Sequence, residues 1–283
     1  MTLADIPDLD RLIDQSIAED VGDGDHSALA CIPQSAIGKA HLLVKEDGVL
    51  AGVELAERIF KRVDQAFVLD ILIKDGSPVK KGDIAFYVTG PSQKLLTAER
   101  LVLNFMQRLS GVATQTRFYV SLLEGTKTKI LDTRKTTPGL RYLEKWAVAL
   151  GGGYNHRIGL FDMIMLKDNH IDFAGGIEES IKKTKEYLAN TGRDLKIEVE
   201  TRNLQEVEQV LCAGGIQRIM LDNFNYEDTR AAVKLIAGRH EVESSGGITK
   251  ETIRNYALCG VDYISVGALT HSVKSLDLSL KAI

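Results

Sequence analysis

From Thr126 to Gly267, short apolar runs alternate with amphipathic stretches six times. The runs are K-I-L-D-T, M-I-M-L-K, K-I-E-V-E, R-I-M-L-D, H-E-V-E-S-S and Y-I-S-V-G. The stretches between them, 142–150, 177–190, 204–213, 228–237 and 250–258, carry apolar residues at helical spacing. Alternation of this kind implies a parallel sheet with helices on its faces. The runs are short, apolar and bounded, as expected of strands covered on both sides. A doubly wound dinucleotide fold needs G-x-G-x-x-G between a strand and a helix. Here G-G-G-Y-N-H (151–156) follows a helix, and no G-x-x-x-x-G-K-[ST] loop occurs. A barrel fits better, because polar residues recur where the strands end. They are Asp132/Arg134, Lys167/Asp168, Glu198/Glu200, Asp222/Asn223, Glu243/Ser245 and Ser265/Gly267. In a barrel those ends converge on one mouth, where active sites lie.

The first third reads differently. Residues 3–21 suit an amphipathic helix, ended by G-D-G-D-H-S-A. Over 36–90, strand-like runs such as A-H-L-L-V, G-V-L-A-G and D-I-A-F-Y-V alternate with turn signals, around one helix near 52–63. A long helix over about 97–123 leads into the repeats. The expected plan is an α/β N-terminal domain (1–104), an α/β barrel domain (105–270), and a C-terminal helix (271–283) that returns to the first. The 283 residues can bury a core without staples. A net charge of −4 argues against nucleic-acid binding. No apolar run is long enough for a membrane span. Cys31, Cys212 and Cys259 are far apart and odd in number, which fits a reducing cytoplasm.

Charge is nevertheless concentrated. Between Thr126 and Lys167 there are eight Lys/Arg against three Asp/Glu. Lys127, Lys129 and Lys145 suit a solvated face. Arg134, Lys135, Arg157 and Lys167 follow strands or glycine-rich turns, and forked Arg suits carboxylate or phosphate. Gly151–Gly153, just before His156 and Arg157, would let backbone approach a ligand. Glu198 and Glu200 share a strand face. With Asp222 they suit Mg²⁺ and a phosphorylated substrate, or else internal ion pairs. E-S-S-G-G-I-T (243–249) and S-V-G-A (265–268) follow the last two strands, where barrels commonly hold phosphate. Two enzyme classes survive: transfer between a phosphosugar and an anionic partner, or a lyase with a Schiff base on Lys135 or Lys167. The lyase would want its lysine in apolar surroundings.

The chain resembles the quinolinate phosphoribosyltransferase family. The likeness is carried by T-A-E-R-L-V-L-N (97–104), L-S-G-V-A-T (109–114), D-T-R-K-T-T-P-G-L-R (132–141), E-K-W-A-V-A-L-G-G-G (144–153), N-H-R (155–157), L-K-D-N-H-I (166–171), E-V-E (198–200), L-D-N-F (221–224) and S-G-G-I-T (245–249). It implies an open, incomplete TIM-like barrel beside a separate N-terminal domain. The implied reaction joins quinolinate to 5-phosphoribosyl 1-pyrophosphate with Mg²⁺. It yields nicotinate mononucleotide, pyrophosphate and CO₂, a step of NAD biosynthesis. It also implies a homodimer with shared sites, dimer against hexamer being open. Arg134, His156, Arg157 and Lys167 would face quinolinate, with Arg100 supplied by the partner. Lys135 would lie between the two substrates. Glu200 and Asp222 would face ribose and metal. Ser245, Gly246, Gly247, Ser265 and Gly267 would hold the 5-phosphate. The role of Arg141 stays open, as does nicotinate as a rival substrate.

Overall fold

In the computed structural model, which describes residues 1–283, the chain divides into two units. One comprises 1–117, 136–152 and 269–283, the other 118–135 and 153–268. The first begins with a 3₁₀ turn, Leu3–Asp5, and helix α1, Leu9–Val21. Pro7 separates them, so the expected single helix is split. After the glycine-rich break, Asp25 accepts from the Ala28 amide (3.0 Å) and caps a short helix, α2, His26–Cys31.

Strands β1 (Ile37–Val44), β2 (Gly48–Val49), β3 (Val68–Ile71), β4 (Pro78–Val79) and β5 (Ile84–Pro91) follow, with helix α3, Val53–Val63, between β2 and β3. On β1 the alternation buries Ala40, Leu42 and Val44 on one face. The aromatic centre is Phe60 of α3, with Phe67 and Phe86 at ring separations of 5.1 and 6.4 Å. Gly90 is required here, since a Cβ would lie 2.3 Å from the Phe67 ring.

Helix α4, Ser92–Leu122, leads to β6, Lys129–Leu131. The series continues with α5 (Arg141–Leu150), β7 (Ile164–Leu166), α6 (Asp168–Ala174), α7 (Ile177–Thr191), β8 (Ile197–Thr201), α8 (Leu204–Ala213) and β9 (Arg218–Asp222). It ends with α9 (Tyr226–Ile236), β10 (Glu241–Ser245), α10 (Ile253–Leu258), β11 (Tyr263–Ser265), α11 (Ala268–His271) and β12 (Leu278–Ala282). All six expected strands enter one parallel sheet, ordered β6-β11-β10-β9-β8-β7. The sheet is not a closed barrel. Beside β6, on the open side, one bridge joins Leu131 to Tyr154. No helix is long and apolar enough to cross a membrane.

Two expectations need correction: Lys145, expected on a solvated face, is fully buried, and the C-terminal helix is absent. The C-terminal segment is a strand, not a helix. Leu276, Leu278 and Leu280 are buried at every second position, and β12 pairs antiparallel with β1, giving the order β12-β1-β5-β3. In the triple glycine, close packing and backbone conformation already demand the first two residues. A Cβ at Gly151 would lie 2.5 Å from the Ala113 carbonyl oxygen, and Gly152 adopts φ +92°.

If β12 is a core strand, Leu280→Ala should cost about 2–5 kcal/mol in urea unfolding. A loss under about 0.5 kcal/mol would mean the tail is surface structure.

Candidate active site

A parallel sheet places all its strand C-termini at one edge, and there the second unit opens a cavity of about 590 Å³. From the β6 end come Thr133, Arg134 and Lys135, and from β7 come Met165 and Lys167. Glu200 comes from β8, and Met220, Asp222 and Asn223 from β9 and its end. β10 and β11 add Glu243, Ser245, Gly246, Gly247 and Ser265; His156 and Arg157 complete the wall. A smaller cleft of about 350 Å³ lies where β6, β10 and β11 begin, lined by Lys129, Glu241 and Tyr263 among others. The expected residues gather at the opposite end.

Two expected residues are not in the lining. Arg100 is exposed on α4, and Gly267 lies beyond Ser265. Arg141 is also absent; its Nε donates to Thr136 Oγ1 (3.1 Å), which braces the turn. Glu144 accepts from the Thr137 amide (3.1 Å) and hydroxyl (2.8 Å), fixing that turn again.

The floor is a buried charge cluster. His156 Nε2 lies 3.0 Å from Glu198 Oε2 and 3.4 Å from Glu243 Oε2. Arg218 Nη1 lies 3.0 Å from Glu243 Oε2 and 3.9 Å from Glu198 Oε2. The Arg218 guanidinium also covers the Tyr263 ring at 4.2 Å. Both carboxylates are fully buried. Desolvation opposes the imidazolium form of His156, but the two carboxylates outweigh it and raise the ring to about 9. The Arg157 amide lies 2.7 Å from Nδ1 and favours a neutral ring. Both carboxylates lie at Nε2 and favour a proton there, whereas a second proton on Nδ1 displaces the Arg157 amide contact. Burial and the neighbouring charge of Glu243 push Glu198 up to about 7. For Glu243, burial works upward, but His156 and Arg218 hold it below its ordinary value.

Glu198, His156 and Glu243 could geometrically surround a cation. They are already neutralised by Arg218 and by the His156 proton, so they form an ion-pair cluster, and Glu198 is not a cavity ligand. Glu200 does line the cavity, with Lys167 Nζ 3.4 Å from its Oε2. Asp222 faces the same space. Two carboxylates with an all-oxygen donor set fit Mg²⁺, which keeps waters and shares substrate phosphates.

Above the floor, Asp132 organises the N-H-R segment. Its Oδ1 accepts from the His156 amide (2.9 Å) and its Oδ2 from Asn155 Nδ2 (2.6 Å). Arg157 is held by Nη1 to the Met163 carbonyl oxygen (3.1 Å). Burial, and then the charge of Arg134, push Arg157 down from its usual range. Two half-buried guanidiniums that repel each other make a strong site for a multiply charged anion. On the far side, Gly246 and Gly247 adopt φ +89° and +60°. Successive backbone amides in such a turn form an anion nest. Lys135 is exposed, and Lys167 is half-exposed and paired with Glu200. Neither has the apolar enclosure a Schiff-base lysine wants.

Family models for the quinolinate phosphoribosyl transferase N-terminal and C-terminal domains match residues 25–110 and 112–281. The chain belongs to the quinolinate phosphoribosyl transferase family. It is 47% identical to the chloroplastic nicotinate-nucleotide pyrophosphorylase (carboxylating) of Arabidopsis thaliana, covering 97% of this chain and 82% of that one. It is 46% identical to quinolinate phosphoribosyltransferase (decarboxylating) 1b of Nicotiana tabacum, with the same coverage. The crystal structure of NadC from Streptococcus pyogenes superposes with a TM-score of 0.93 at 40% identity, covering 99% of either chain. In this family member, sequence reasoning missed the lining residues Thr133, Met165 and Met220, and it placed Asn223 and Glu243 at strand ends without a role. It also missed Arg218, whose place in the cluster depends on register between strands.

The raised His156 contributes stability in full below its ordinary value of 6.5, and loses it as pH rises through about 9. Glu198, also raised, acts in the same sense at lower pH. Urea unfolding of the wild type should therefore weaken by roughly 2–3 kcal/mol between pH 7 and 9.5. His156→Gln should flatten that limb. An unchanged limb in the variant would contradict the assignment.

Proposed function

We propose that this chain catalyses transfer of a phosphoribosyl group from 5-phosphoribosyl 1-pyrophosphate to quinolinate, with decarboxylation. The products are nicotinate mononucleotide, pyrophosphate and CO₂, placing the chain in NAD biosynthesis. The observation that carries this reading is one cavity with a wall of two arginines, two lysines and one histidine facing a glycine nest. Such a cavity takes a dicarboxylate on one side and a phosphate on the other.

Arg134, Arg157 and Lys167 hold the two quinolinate carboxylates, with His156 beneath them setting Arg157 in the wall, while Met165 and Met220 give the ring apolar contact. Ser245, Gly246, Gly247, Ser265 and Gly267 hold the 5-phosphate. Glu200 and Asp222 face the ribose and would hold Mg²⁺, which supplies charge neutralisation for the departing pyrophosphate. The ring nitrogen forms a bond to ribose C1 as the bond from C1 to pyrophosphate oxygen breaks. Positive charge grows on the ribose, and Glu200 and Asp222 favour it electrostatically. Lys135, beside both substrates, offsets anionic charge between them. The bond from C2 to the carboxylate then breaks, releasing CO₂. Its electron pair stays on C2 beside the cationic nitrogen, and a proton replaces the carboxylate. Positioning and charge suffice for both steps.

Arg100 is exposed and outside the cavity lining. In the proposed homodimer it serves the site of a second copy. Cytoplasmic location is supported by three free cysteines with no disulfide; the Arabidopsis relative is named chloroplastic.

The test is discrimination at the second carboxylate. Nicotinate lacks it, and a site built to pair it should turn nicotinate over roughly ten-thousandfold less efficiently. Arg134→Ala should lower kcat/KM for quinolinate at least about a hundredfold with the fold intact. Equal turnover of both acids, or unchanged kinetics in the variant, would refute the proposal.

A further inference from the structure

We infer that Asn223 is a positioning residue that ties the ribose end of the phosphoribosyl-donor subsite to its phosphate end. The inference rests on the donor site proposed above. Asn223 is the first residue after β9, adopts φ +56° and lines the cavity. Asn tolerates this left-handed conformation better than most residues, and the turn it makes points the side chain back between two strand ends.

Three contacts follow from that turn. The Asn223 amide donates to the Ser245 carbonyl oxygen at 2.9 Å, joining the end of β9 to the end of β10. Its Nδ2 donates to Asp222 Oδ2 at 2.8 Å. One oxygen of Asp222 is thereby held, and the carboxylate is oriented as a whole. The Oδ1 of Asn223 lies 2.3 Å from where a Cβ on Gly246 would stand. Gly246 is therefore glycine for two separate reasons: its φ of +89° and the presence of Asn223 against it. One side chain thus sets the carboxylate on β9 and fixes the first residue of the glycine nest after β10.

The plain alternative is that Asn223 only makes the turn. Glycine and aspartate separate the two accounts. Asn223→Gly keeps the left-handed backbone and removes the side chain. Asn223→Asp keeps the shape and the backbone tolerance, but replaces the donor to Asp222 with a second carboxylate.

The experiment varies each substrate in steady-state kinetics on the full-length protein. Quinolinate affinity is measured alone by calorimetry, and urea unfolding is run beside it. For both variants the KM for 5-phosphoribosyl 1-pyrophosphate should rise about tenfold or more, while the Kd for quinolinate stays within about twofold of wild type. Asn223→Gly should unfold as cooperatively as wild type. A donor KM within about twofold of wild type in both variants would overturn the inference, as would an equal loss of quinolinate affinity. A wild-type protein with no turnover of these two substrates would instead remove the functional reading beneath it.

Discussion

Two carboxylates with no solvent exposure, Glu198 and Glu243, sit under the cavity, and the site is built on what neutralises them. An isolated buried carboxylate is too costly to keep ionised, and breaking a buried pair costs about 3–5 kcal/mol. Three adjacent strands meet this cost together. β8 gives Glu198, β9 gives Arg218 and β10 gives Glu243, in a sheet where β9 lies between the other two. The remaining cation is His156, which enters from the loop on the open side of β6. The cluster thus draws a loop residue onto the sheet, and Arg157 follows it into the wall.

This arrangement explains how a chain of net charge −4 presents a cationic site. Its acids are not excluded from the mouth but sorted by depth. Glu198 and Glu243 lie beneath, paired with His156 and Arg218. Glu200 and Asp222 stand higher, open to the cavity. Arg134, Arg157 and Lys167 face that same space, which gives its wall a cationic character. The opposite wall carries no side-chain cation, and backbone amides of Gly246 and Gly247 form a turn suited to an anion.

The sequence made the six strands legible because each is a short apolar run ending in polar residues, a pattern that survives without tertiary information. The mouth residues were legible for the same reason: they occupy strand ends. Other features depend on pairing that a linear pattern does not carry. Arg218 begins its strand and reads as a surface cation until register sets it beside Glu243. Glu198 and Glu200 share a strand face, yet depth gives them different partners. The C-terminal segment, 271–283, is expected as a helix returning to the first domain. Yet L-D-L-S-L (276–280) already carries a strand's two-residue period, and pairing with β1 uses it. The triple glycine suggests a ligand loop, whereas close packing at Gly151 is what demands it.

The central claim is that one cavity binds quinolinate beside a phosphoribosyl donor and couples transfer to loss of the 2-carboxylate. The most direct measurement uses quinolinate labelled at that carboxylate, incubated with the protein, 5-phosphoribosyl 1-pyrophosphate and Mg²⁺. Labelled CO₂, pyrophosphate and nicotinate mononucleotide should appear together in equal amounts, and none without the donor. Nucleotide retaining the label, or CO₂ released without donor, would contradict the account.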